Sequence, residues 1–250
     1  MAVCRLKSVS LVYTHLETKQ CVQILEASLS SDNLSNLNLG YINLSGVPAP
    51  ILARALCHLQ NVRLSHTQLT TDQSVQLMET SLSSCTLIGL DIKGVNLNGI
   101  SAYLLSQAVC RLQKVRLFHN QLTTEQCILL LQTSLASNTL IFVYLGSVNL
   151  SEVPADLLAK AVCRIQHVKL PHTALTTVQC IQLLKTSSSS KILMDLDLMD
   201  VNLSQVPADI LAEGICRLQN VLLGHTQLTT EQCVHVLEAC LSSNTLVSLD

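Results

Sequence analysis

The 250-residue chain predicts an α/β solenoid, one domain over residues 1–250, with a parallel sheet of about ten strands on one side and helices on the other. Three observations carry this. Cysteine opens a unit at Cys4, Cys57, Cys110, Cys163 and Cys216, a spacing of 53 residues held without a gap. A fixed period of that length marks stacked supersecondary units, each burying its neighbour's apolar face. Inside the unit, Leu112, Val115 and Leu117 alternate as the buried side of a short strand does, and Cys127, Leu130, Leu131 and Leu135 then recur at the spacing of one helix face.

Residues 110–139 show the elements in order. The strand around Val115 is followed by a turn to Leu122. Thr123 is placed to cap a helix, with Gln126 three residues on to close a capping box. Asn138 and Thr139 end that helix, and Leu140, Val143 and Leu145 begin a second strand of the same spacing. Pro154 suits a helix's first turn, and a short helix, 155–162, returns the chain to the next cysteine. Strand starts therefore lie 28 and then 25 residues apart, so each 53-residue module holds two leucine-rich repeats of unequal length.

The modules number five, the last truncated. Leu6, Val9 and Leu11 are in strand register from the outset, and the strand at Leu246–Leu249 has no helix behind it. Without polar caps at either end, the pattern predicts a piece of a longer chain or a protein whose ends are covered by association. The fourth module is the weakest. Ser188 stands where the others carry Leu29, Leu82, Leu135 and Leu241, and Pro171 lacks an amide proton for the ladder, which predicts loosening over residues 186–191.

The run CRLQKVRLFHNQLTTEQCILLLQTSLASNTLIFVYLGSVNL resembles the alternating leucine-rich repeats of ribonuclease inhibitor and the carboxy-terminal repeats of NACHT-type (NOD-like) cytosolic immune receptors, over essentially the whole chain. The resemblance implies a right-handed horseshoe whose strands line a concave face, with strand positions 3, 5 and 7 pointing outward there. It implies a protein partner on that face. Three roles follow from it: the sensor segment of an innate immune receptor, a stand-alone inhibitor or scaffold of the ribonuclease-inhibitor kind, or an enzyme activator such as a GTPase-activating protein. For the last, the sequence offers no dedicated catalytic arginine. One departure concerns the turn after the strand, where the family often has Asn or Cys. Here the long units have Thr14, Thr67, Asn120, Thr173 and Thr226, and the short ones Ile42, Val95, Val148 and Val201.

Composition narrows the classes. Apolar residues make 48% and charged ones 13%, yet no apolar run is long enough to span a bilayer, so no membrane partner is expected. A net charge of −2 argues against a nucleic-acid binder working by bulk electrostatics. The start MAVCRLK lacks a signal-peptide hydrophobic stretch. Nine of the eleven cysteines fall in two columns, the module opening and the helix face (Cys21, Cys127, Cys180, Cys233), and are expected as buried, reduced thiols in a cytoplasmic protein. The sequons at Asn33, Asn43, Asn149 and Asn202 read as turn residues.

Chemistry finds little footing. His66, His119, His172 and His225 recur once per module, about 10 Å apart across the intervening strand, which is too far for one metal ion. They are expected to make one repeated local hydrogen bond. Ser65, His66 and Asp91 fall near one another by repetition, with no strained nucleophile turn and no Gly-rich phosphate loop. The chain is read as a non-enzyme without cofactor or metal.

Recognition remains, and the repeats give an internal test. Strand positions facing the core hardly vary, whereas outward ones do: Val12, Ser65, Phe118, Pro171 and Gly224 at long-unit position 7. Near-constant helix starts, Thr-Thr-Glu-Gln, serve as the control for drift at exposed positions. The candidate binding residues are Arg63, Asp91, Lys114, Arg116, Phe118, Phe142, Tyr144, Lys169, Asp195 and Asp197. Position 5 predicts lateral pairs Arg63–Asp91–Arg116 and Lys169–Asp197. The earlier half of the face reads basic (Arg63, Lys93, Lys114, Arg116) and the later half acidic (Asp195, Asp197, Asp200), calling for a partner of opposite asymmetry. Phe118, Phe142 and Tyr144, beside Arg116, form the expected hot spot.

Overall fold

The computed structural model describes residues 6–250. The chain falls into two compact units, one ending at Gln121 and the other running from Leu122 to Asp250. The first contains β1 (Ser8–Ser10), α1 (Thr18–Leu29), β2 (Asn36–Asn38), α2 (Ala49–His58), β3 (Asn61–Arg63), α3 (Thr71–Ser83), β4 (Gly89–Asp91), α4 (Ala102–Cys110) and β5 (Lys114–Arg116). The second contains α5 (Thr124–Ala136), β6 (Phe142–Tyr144), α6 (Ala155–Val162), β7 (His167–Lys169), α7 (Thr177–Ser187), β8 (Asp195–Asp197), α8 (Ala208–Ile215), β9 (Asn220–Leu222), α9 (Thr230–Ser242) and β10 (Ser248–Leu249).

Within each unit the strands lie side by side in chain order and parallel: β1 to β5 in the first, β6 to β10 in the second. Alternating strand and helix with this pairing is the α/β leucine-rich-repeat solenoid. In the three-residue strands the middle residue points inward. Leu37, Val62, Leu90 and Val115 fill that column in the first unit, and Val143, Val168, Leu196 and Val221 in the second, all buried. The flanking residues of every strand, positions 3 and 5, are thereby turned to the opposite face.

The long helices start as the sequence requires. Thr70, Thr123, Thr176 and Thr229 each accept a hydrogen bond from the amide three residues on, and the glutamine there returns the bond. Those glutamines do more than cap. Gln73 is buried, and its Nε2 donates to the carbonyls of Leu44 and Val47 at 2.7 and 2.6 Å; Gln179 does the same to Leu150 and Val153, and Gln232 to Leu203 and Val206. Each ties a helix start to the turn of the preceding short repeat. Their constancy follows from burial, so Thr-Thr-Glu-Gln is not the control for surface drift that the sequence reading makes of it.

Two local expectations take a different form. The ladder past Pro171 uses the amides of Leu170 and His172, donating to Asp197 and Met199 carbonyls at 2.8 and 2.9 Å. Leu64 and His66 likewise skip Ser65. In both long units the strand-to-strand bonds pass over position 7, so proline costs the ladder nothing there. The serine run of the fourth module is bonded throughout: Ser187 Oγ donates to Leu184 and Gly214 carbonyls, Ser188 to Lys185, Ser189 to Thr186, and Ser190 to Cys163. α7 has 11 residues where α5 has 13, and the serines close the shortened end.

The cysteine columns divide. Burial pushes the thiols of Cys57, Cys110, Cys127 and Cys163 up to about 12 and that of Cys180 up to about 11. Cys233 is exposed and Cys216 half-buried, against the expectation of uniform burial, because α9 buries only Gln232 and Val236. Cys4 lies outside the described residues. All ten described cysteines are free. The repeated asparagines are turn residues: Asn43, Asn149 and Asn202 each accept from both the amide and the hydroxyl of the serine two residues on. Among the described residues no helix is long and apolar enough to cross a membrane.

Candidate functional site

In the first unit β4 lies low between its neighbours. Gly89 has no side chain to cover it, and Asn61 leans across from β3; a Cβ at Gly89 would meet Asn61 Oδ1 at 2.4 Å. Asp91, at the other end of the strand, is 9% exposed. Its carboxylate receives the Ser65 hydroxyl at 3.0 Å, the Lys93 amide at 3.2 Å and Arg116 Nη1 at 3.5 Å. Arg63, Lys114 and Arg116 stand exposed on either side.

The predicted charge ladder is in register but mostly unmade. Arg63 lies opposite Asp91 and Asp91 opposite Arg116, as expected, and Lys169 lies opposite Asp197. Among the described residues only Arg116–Asp91 closes, at 3.5 Å and with the arginine side chain 44% exposed. Such a pair contributes about 0–1 kcal/mol. The cause is local: Asn38, Asp91 and Asp197 each turn Oδ1 to the amide two residues on, at 3.1, 3.2 and 3.1 Å. The carboxylates at short-unit position 5 are turn acceptors first. Ser65 therefore donates directly to Asp91, while the His66 ring lies on Tyr41 (centroids 4.8 Å apart) and over Gly94, an arrangement without a serine-to-histidine bond among the described residues.

The histidine column proves to be a column of backbone conformation. His66, His119, His172 and His225 all have φ of 54–59°, as do Tyr13, Tyr41, Ser147 and Asp200 within a few degrees. Left-handed geometry costs about 1–2 kcal/mol for a residue with a Cβ, and histidine and aspartate tolerate it better than most. Gly94 fills the same position at φ 66°, where a Cβ would meet His66 Nδ1 at 2.4 Å. The contacts differ from copy to copy: His172 pairs with Asp200 at 3.2 Å, whereas His66 stacks on Tyr41 and His119 on Phe118.

This column holds the residues sequence reasoning missed. Tyr13 and Tyr41 stack at 4.2 Å between centroids and 25° between planes, and Tyr41 continues onto His66. The neighbouring Tyr13 hydroxyl holds the Tyr41 phenol above its ordinary value. Tyr13 is 69% exposed and Tyr41 45%. Aligning the modules one residue past position 7 would have found them, since two of only four tyrosines fall there.

The expected hot spot is altered by Phe118. Its ring is 9% exposed, tilted against His119 with centroids 3.8 Å apart and covered by Lys93 Nζ at 4.6 Å. It is a floor for a cation rather than an open anchor. In the second unit Phe142 and Tyr144 are half-buried on β6, and Lys169 Nζ lies 6.0 Å from the Tyr144 ring centroid.

The acidic residues of that unit are largely satisfied by neighbours. Asp195 takes His167 Nδ1 at 2.5 Å from β7 and Asn220 Nδ2 at 2.6 Å from β9. Asp197, buried, accepts its own turn amide. Formal charge still separates: residues 1–121 carry nine Lys and Arg against six Asp and Glu, and residues 122–250 carry six against eleven. The two units stand at +3 and −5.

No family model matches the chain. It is 27% identical over 249 residues to mouse NACHT, LRR and PYD domains-containing protein 12, covering 93% of this chain and 24% of that protein. It is 25% identical to pig ribonuclease inhibitor, covering 97% of this chain and 59% of that one. The structure of the leucine-rich repeat-containing protein LegL7 from Legionella pneumophila superposes with a TM-score of 0.61 at 16% identity, over 98% of this chain and 82% of that one. The chain thus spans about a quarter of the NACHT relative and under two thirds of the inhibitor. It is a leucine-rich-repeat protein resembling ribonuclease inhibitor and the NACHT, LRR and PYD domains-containing proteins.

Proposed function

We propose that this chain is a protein-recognition module that engages its partner through the strand face, as the sensor segment of a NACHT-type immune receptor in the cytoplasm. The observation that supports it most is the contrast within each repeat. Core leucines, capping threonines and buried glutamines are copied from module to module, while outward strand positions change chemistry from Asn to Arg, Asp, Lys and aromatic. A frame repeated for stability with a face free to differ is the design of a recognition surface. Binding then draws on Arg63, Lys114 and Arg116 in the first unit and on Phe142, Tyr144, Lys169 and Asp195 in the second. Ten free thiols, five of them strongly disfavoured as thiolates by burial, fit a reducing compartment.

The test is affinity capture from cytosol with the immobilised chain beside two strand-face variants, Arg63→Ala/Arg116→Ala and Lys169→Ala/Asp195→Ala. A protein retained by the parent and lost by either variant is the expected result. Partners retained equally by all three, or displaced only by changes on the helices, would move the binding site off the strand face.

A further inference from the structure

The strand faces of the two units differ in how their charges are used. In the second, Asp195 is held between His167 and Asn220, and Asp200 is paired with His172. In the first, Arg63 and Lys114 are exposed and make no ion pair among the described residues, and the single acid between them, Asp91, is already bonded to Ser65, the Lys93 amide and Arg116. Cations kept apart from the only nearby carboxylate keep their capacity for another one.

We propose that the strand face of the first unit is a carboxylate-binding surface for an extended acidic segment of a protein, with Arg63 and Lys114 holding the carboxylates and the Tyr13–Tyr41–His66 stack as its apolar rim. This rests on the recognition reading above and names the chemistry of the partner. Arg63 and Lys114 stand on β3 and β5, two strands apart, or about 10 Å, and Lys114 and Arg116 are two residues apart on one strand, about 6.6 Å. Alternate side chains of an extended peptide have that second spacing. A guanidinium meets a carboxylate as a two-pronged fork, and the ammonium of Lys114 as a point charge. The exposed rings give the peptide's apolar side chains a rigid contact with little rotamer entropy to lose.

A single-stranded nucleic acid is the competing polyanion, and the rings argue against it. Successive bases need successive open ring faces, but Tyr41 has Tyr13 on one side and His66 on the other, which leaves the exposed end of the stack at Tyr13 in place of a run of platforms. The chain's net charge of −2 also gives a long polyanion no general attraction.

The experiment is fluorescence anisotropy on the full chain with a labelled 12-residue peptide of alternating glutamate and tyrosine, beside the lysine–tyrosine peptide and a 12-nucleotide oligouridine. The Glu–Tyr peptide is expected to bind, more weakly as salt rises, with at least a tenfold loss in Arg63→Ala/Lys114→Ala and a smaller loss in Tyr41→Ala. Arg54→Ala removes one cation from the same unit, on α2, and is expected to leave binding unchanged. All four side chains are exposed, so circular dichroism should report intact folding. Equal binding of the lysine peptide, tighter binding of oligouridine, or no loss in the double variant overturns the inference. No Glu–Tyr binding, with capture still lost in the strand-face variants above, ends this inference but leaves the recognition reading standing. Peptide binding with capture insensitive to those variants does the reverse.

Discussion

The two units are built alike and faced differently. Position for position, Gln73 and Gln179 hold the same pair of turn carbonyls, Thr67 and Thr173 bond the carbonyl three residues back, and Asp91 and Asp197 receive the amide two residues on. Yet one face carries open cations and stacked tyrosines, and the other carries histidine–carboxylate pairs. Stability therefore does not dictate the faces: side chains that close the turns are shared, and those outside the turns are free to serve a partner. Three measurements test how far the sameness of the frames goes.

The largest effect expected is alkaline. The buried thiols Cys57 and Cys110 in the first unit, and Cys127, Cys163 and Cys180 in the second, stand at about 11 to 12 against an ordinary value of 9.0. Unfolded thiols release their protons from about pH 9, while the folded ones still hold theirs, so stability is intact below pH 9 and falls as pH rises toward 12. Each such thiol contributes a loss on the order of 1–4 kcal/mol across that window. Urea melts at pH 8, 9.5 and 10.5 should show the fall, and Cys163→Ala should flatten its slope while lowering stability at pH 8 through lost packing. A slope unchanged by that substitution would assign the alkaline loss to other groups.

Next in size are Gln73→Leu and Gln179→Leu. Each removes two buried bonds and opens the capping box, although the Leu44 and Leu150 carbonyls keep the amide three residues on, for a loss of about 2–4 kcal/mol. The prediction is that the two cost the same within about 0.5 kcal/mol, measured by hydrogen exchange of the amides in α3 and α7. A cost confined to one unit would break the sameness of the frames.

These glutamines also show what was legible in the sequence. The 53-residue period, the strand and helix registers and the capping boxes could be read because they rest on spacing, which burial enforces in every copy. The second role of Gln73 could not, since a capping glutamine and a buried bridging one occupy the same column. The left-handed column was hidden for a related reason: Tyr13, Tyr41 and four histidines carry it, with glycine in a single copy at Gly94, so no repeated glycine marked the conformation. Among the described residues two of the three expected lateral ion pairs stay open, because register decides which residues stand opposite, whereas the Asp91 carboxylate is committed first to its own turn. Phe118 stands at a strand position expected to face outward, but nothing in the sequence says that it is 9% exposed with Lys93 over its ring.

The smallest effect concerns the one turn where the frames differ. Thr67, Thr173 and Thr226 donate only to the carbonyl three residues back, at 2.6–2.7 Å. Asn120 instead sends Nδ2 to the carbonyls of Ile92 and Val95, at 3.0 and 2.7 Å, bridging to the preceding short repeat, while its Oδ1 is buried without a partner. Asn120→Thr exchanges two bridging bonds for one local bond and removes an orphaned acceptor. At about 1 kcal/mol for a net bond and 1–3 for an unsatisfied buried group, gain and loss nearly cancel. The expected change is within about 1 kcal/mol in urea melts. A loss above about 2 kcal/mol would mean that the bridge outweighs the orphaned oxygen, and that the first unit is closed at this turn by a bond the threonine turns do without.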